Sequence, residues 1–78
     1  MYYEDLKLRE LVKTQNQWLA VFGARVGTFN FPVADASCSE KELEDHGLIV
    51  GKMFLGVVED DRLVGVENFS YIEDTPEM

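Results

Sequence analysis

Seventy-eight residues, nearly half of them apolar, suffice for one small domain with a real core and are too few for a second. A lone cysteine excludes an internal disulfide, and a formal charge of −8 opposes binding to nucleic acid or an anionic membrane surface. The start "MYYEDLKLRE" has no apolar signal core, and no apolar run reaches membrane-spanning length, so a cytoplasmic protein is expected.

Residues 5–22, "DLKLRELVKTQNQWLAVF", predict a helix. At about 100° per residue, Leu8, Leu11, Val12, Gln15, Trp18, Leu19 and Phe22 fall in one stripe. Glu4 and Asp5 suit the positive end of its dipole, and Gly23 suits the position just past its end. A rival reading ends the helix near Thr14 and makes "QWLAVFGARVGTFNF" a hairpin turning at Gly23-Ala24. The longer helix is preferred.

"RVGTFNFPV", residues 25–33, alternates as a strand with one buried face, and Pro32 belongs at a strand end or sheet edge. Ser39 and Glu42 then spell a capping box with a helix stop at Gly47, predicting a short helix over 40–46. "MFLGVVEDDRLVGVEN" predicts a hairpin turning at Asp60-Asp61, pairing Val57 with Val64 and Leu55 with Val66 on its apolar face. The opposite face pairs Val58 with Leu63, Gly56 with Gly65, and Phe54 with Glu67. One domain spanning 1–78 is expected, with 73–78 fraying for want of anything to bury.

The elements add up to an α+β fold. One long N-terminal amphipathic helix packs on a small antiparallel sheet of three or four strands, with a short connecting helix. Its core should unite Leu8, Leu11, Val12, Leu19 and Phe22 with Phe29, Phe31, Leu55, Val57, Val64 and Val66. A sheet built from 25–33, 51–59 and 62–72 has two open edges, and with so short a chain a homodimer is expected.

Catalytic chemistry finds little support. Cys38 precedes the helix cap, but His46 lies about 12 Å away at the far end of the same helix, too far to act as its base. A buried, inert thiol is the better reading. His46 with Glu42 and Asp45 is a weak metal pattern, and His46 is better explained by bonding to the last carbonyls of its helix. No catalytic residue, cofactor or metal is therefore expected. "LGVVEDDRLVGV" resembles the hairpin before the cofactor loop of GNAT-type acetyltransferases, but neither the Gly-rich loop nor its helix follows.

The charge itself is uneven. Residues 1–34 hold three acids against Lys7, Arg9, Lys13 and Arg25, whereas residues 35–78 hold twelve acids against Lys41, Lys52 and Arg62. Glu40, Glu44 and Asp45 on the short helix, Glu59, Asp60 and Asp61 at the hairpin tip, and Glu73 and Asp74 beyond it are the candidate partner-binding residues. Carboxylates held on rigid elements imitate a run of phosphates, so the expected function is a non-enzymatic acidic module regulating a protein with a basic, nucleic-acid-binding site. DNA-mimicking inhibitors carried by phages and mobile elements are of this type. The alternatives are a solubilising surface without a site, and a homo-oligomer serving self-association or a small apolar ligand.

Overall fold

The first thirteen residues are extended, not helical. In the computed structural model, which describes residues 1–74, Glu4, Leu6 and Leu8 are buried while Tyr3, Asp5, Lys7 and Arg9 are exposed, the two-residue period of a strand. This strand, β1 (Tyr2–Lys13), turns back through Thr14–Asn16 into β2 (Gln17–Ala24), and Arg25-Val26 leads into β3 (Gly27–Asp35). Thr14 closes the first turn: its hydroxyl donates to the Gln17 carbonyl at 2.6 Å and accepts from the Gln17 N–H at 3.1 Å. The expected long helix is thus a β-hairpin, and the second hairpin turns two residues later than the rival reading placed it.

A bulge explains the misleading period. Leu8 lies opposite Phe22 and Glu10 opposite Val21, so Arg9 is an extra residue in β1. The inward phase moves from even to odd positions there, and Leu11 is the next side chain on the core. Leu8, Leu11 and Trp18 consequently stand three and seven apart, spacings that a helix also produces.

After β3 the chain forms α1 (Glu40–Asp45), then β4 (Met53–Glu59) and β5 (Arg62–Val66). The capping box is present in both directions, with Glu42 N–H on Ser39 Oγ and Ser39 N–H on Glu42 Oε1, each at 3.1 Å. Gly47 takes the left-handed φ of 91° that ends the helix. Asp60 and Asp61 hold φ of 52° and 62°, as a type I′ turn requires.

The strands order as β3-β2-β1-β4-β5 in one antiparallel sheet. Beyond β5 the chain returns along β3: Ile72 N–H donates to Val33 O at 2.9 Å, and Asp35 N–H donates to Ile72 O at 3.0 Å. The sheet therefore coils almost shut, into a nearly closed five-stranded barrel. Bulges at Arg9, Val33 and Val64 supply the curvature. The fold is mainly β, with α1 its one helix among the described residues, which corrects the α+β expectation.

The bulge at Val64 also corrects the second hairpin. Val58 does face Leu63, but Val57 then faces Gly65 and Gly56 faces Val66. Phe54, Val58, Leu63 and Val66 turn inward, while Leu55 and Val64 stand 37% and 46% exposed and Val12 is also outside. Gly56 is where the barrel wall must be thin: a Cβ there would meet Leu6 Cδ1 at 2.5 Å and Leu63 Cδ1 at 2.7 Å. Leu6, Leu8, Ala20 and Phe22 form the centre of the core, with Phe22 and Phe54 edge to face at 5.5 Å. Leu43 and Leu48 close one end, where the Trp18 indole donates to Cys38 O at 2.9 Å. The expected frayed tail falls largely on residues 75–78, outside the described residues, and Ile72 before it is buried.

Candidate functional site

The acids expected to form one surface are divided between the two ends of the barrel. Glu59, Asp60 and Asp61 sit at the β4–β5 tip, on or beside that turn. The seven residues of β4 separate them from the α1 end, a span of about 20 Å. Glu40, Glu44 and Asp45 are exposed on α1, where Lys41 reaches Asp45 at 3.5 Å.

Glu73 and Asp74 join the α1 end rather than the tip. Asp35, the last residue of β3, accepts from the Asp74 N–H at 3.0 Å and from the Tyr71 hydroxyl at 2.8 Å. These bonds hold the Asp35 carboxyl below its usual range, the Asp74 contact being the larger influence. Tyr71 is pushed up, first by desolvation and then by the bond to Asp35. Cys38, buried beside them, has its thiol pushed up by burial first and then by the fields of Glu42, Asp74 and Asp35. Its sulfur lies 3.9 Å from the Ile72 carbonyl. The thiol is buried, as the sequence reading expected. His46 Nδ1 lies 2.9 Å from the Glu42 carbonyl, so the histidine caps its own helix as expected.

Sequence reasoning missed a second feature. Glu4 is an acid in the inward phase of β1, only 5% exposed, and Oε1 accepts no hydrogen bond among the described residues. Arg25 approaches it from outside, Nη2 to Oε1 at 3.5 Å, on a side chain 83% exposed. The pair lies in an open groove of about 690 Å³ that Tyr3, Asp5, Lys7, Arg9, Gly23 and Leu55 also line. Three of the seven basic residues thus meet in one place on an acidic protein. The signal was an acid at the even position before Leu6 and Leu8, but in a helix Glu4 reads only as a dipole partner.

Two outer faces differ in character. The β2–β3 face presents Leu19, Val21, Thr28, Asn30 and Pro32, with neither a basic nor an aromatic side chain among them. The β1–β4 face sets Tyr3 against Val57, Asp5 against Leu55 and Lys7 against Met53, an apolar strip with charges at one side. No helix among the described residues is long and apolar enough to cross a membrane, and no three of their His, Cys, Asp or Glu side chains gather to hold a metal ion. No protein-family model, curated protein or solved structure matches the chain.

Proposed function

We propose that the protein is a non-enzymatic acidic binding module whose α1 end engages, and thereby regulates, a partner with a basic, nucleic-acid-binding surface. The observation that supports this reading is the tie by which Asp35 accepts from the Asp74 N–H at 3.0 Å and the Tyr71 hydroxyl at 2.8 Å, while its own carbonyl accepts from Cys38 N–H at 3.0 Å. It brings the segment after β5 and the approach to α1 beside the end of β3. Glu40, Glu44, Asp45 and Glu73 are at this end too, and they outnumber Lys41 and Lys52. A predominantly acidic surface on a capped helix and a closed barrel end steers a basic partner and loses little order on binding. The tip acids, each beside Arg62 and at the other end, are a separate and weaker patch.

The test is capture of a partner at low and high salt, followed by charge reversal. Glu40→Lys, Glu44→Lys and Glu73→Lys together should slow association at low salt, whereas Glu59→Lys and Asp60→Lys should matter less. Equal losses from both ends would mean that net charge alone is responsible.

A second reading, self-association, is favoured by the β1–β4 strip, where Tyr3 and Met53 are 63% and 57% exposed. Sedimentation at high protein concentration tests it: Tyr3→Ser with Met53→Ser should convert a dimer to a monomer.

A further inference from the structure

Although β1 lies in the middle of the sheet, half of one side has no strand partner among the described residues. Its register with β2 runs from Lys7 opposite Gly23 to Lys13 opposite Trp18, whereas residues 2–6 pair with β4 alone. Leu8 shows which way the main chain faces. Its N–H donates to Lys52 O at 3.0 Å, and its carbonyl accepts from Gly51 N–H at 2.8 Å, both on the β4 side. The β1–β4 register has no slip from Tyr2 to Lys7, so alternation points Leu6 and Glu4 toward β4 as well. The N–H and C=O groups of Tyr3 and Asp5 then point away from β4, into the space β2 would fill if it continued past Ala24. That space is the groove holding Glu4.

We propose that this groove takes an extended segment of a partner protein, added as a sixth strand along Tyr3–Asp5, with one arginine or lysine side chain placed on Glu4. The inference goes beyond the acidic-module reading, because the groove is a second site, away from the α1 end. Main-chain bonds to Tyr3 and Asp5 supply the attachment, as in strand addition generally. Glu4 supplies the selectivity. It is buried with an unpartnered oxygen, and Arg25 meets its charge from solvent without making a hydrogen bond. A side chain entering beside β1 on the inward face brings N–H donors to that oxygen, and the buried carboxylate favours a cationic donor over a neutral one. Lys7 and Arg9 bound the groove at its other end and limit the ligand to a single cation flanked by uncharged residues. A second copy of the chain fits poorly, because pairing β1 with its twin sets Glu4 and Asp5 against the same acids.

The probe is a heptapeptide of alternating threonine and valine with a central arginine, compared with central-glutamine and central-glutamate versions. Amide chemical shifts follow the titration. The arginine peptide should move the Tyr3 and Asp5 amides and bind about tenfold tighter than the glutamine peptide, with the glutamate peptide weakest. Glu4→Gln should erase the preference for arginine. Asp5→Pro removes an N–H that faces away from β4, so the fold should persist while all three peptides lose binding. Absence of shifts at Tyr3 and Asp5, or glutamine and glutamate peptides binding as well as arginine, would overturn the proposal. So would undiminished binding by Asp5→Pro; should that variant misfold, Glu4→Gln decides alone. Reversal of Glu40 and Glu44 should leave peptide affinity within about twofold. If it weakens capture of a whole basic partner while no peptide binds, the groove fails and the acidic-module reading stands; if peptides bind but capture is insensitive to salt, the reverse holds.

Discussion

The two ends of the barrel treat polar groups in opposite ways. At the α1 end the Trp18 indole, both sides of the capping box, the Asp35 carboxylate and the main chain of Ile72 all have partners, and Leu43, Leu48 and Cys38 are sealed beneath them. At the other end Glu4 is buried with an oxygen left over, and β1 runs on past its neighbour. A small domain can leave such demands unmet only where the rest of its structure is secure. The closed end makes the fold, and the open end is where a ligand would complete it.

Breaking the closed side of this comparison should have the largest effect. Phe22 is buried at the centre of the core against Leu6, Leu8 and Phe54, and Phe22→Ala should cost about 3–5 kcal/mol, enough to unfold much of the population. Leu55→Ala and Val64→Ala, whose side chains lie partly in solvent, should each cost less than about 1 kcal/mol by chemical denaturation. Equal losses at Phe22 and Leu55 would mean that the β4–β5 register is wrong.

A smaller effect belongs to Gly56. An added methyl would press on Leu6 and Leu63 inside the barrel wall, so Gly56→Ala should cost about 1–3 kcal/mol. Gly65 has nothing within 4 Å of its Cβ position, and Gly65→Ala should leave the denaturation midpoint nearly unchanged. The two glycines therefore test which face of the hairpin is inside.

Glu4→Gln sharpens the comparison from the open end. Removing a buried charge held by one exposed arginine should leave stability within about 1 kcal/mol of the parent, or raise it. Combined with lost peptide selectivity, that outcome separates a binding group from a structural one. A loss as large as that of Phe22→Ala would assign Glu4 to the fold.

What the sequence made legible divides along the same lines. The Ser39–Glu42 capping box, the Asp60-Asp61 turn and the role of His46 were all readable, because each depends on contacts within a few residues. The first hairpin was not. One bulged residue at Arg9 changed a two-residue period into something indistinguishable from a helical one, and bulges are set by tertiary curvature rather than by local preference. The bulge at Val64 likewise put Val66 on the same side as Val58 and Leu63, and because β4 turns Phe54 inward and Leu55 outward, part of the expected apolar face lies in solvent. The acids were legible as residues, but their division between two ends followed from topology. Glu4 became visible as a candidate only once β1 was a strand.

The smallest expected effect concerns the tie that finishes the closed end. Asp35 accepts from the Asp74 N–H and the Tyr71 hydroxyl, and its folded pKa lies below the usual carboxylate value of about 4. Its contribution is therefore complete above that value and is lost as pH falls through the lowered one. Tyr71 has the opposite sign: its folded pKa lies above the usual value of about 10, so its contribution is complete below that and is lost as pH rises further. Between about pH 5 and 9 the tie should be intact, and hydrogen exchange at the Asp74 amide should show constant protection. Asp35→Asn keeps an acceptor but removes the charge, so the fall in protection below about pH 4 should shrink while the loss above pH 10 persists. Because Asp35 and Tyr71 are at the surface, the shift in global melting should be slight and confined to those limits. If parent and variant lose protection in parallel on acidification, the segment after β5 is held by the Ile72 main-chain bonds alone.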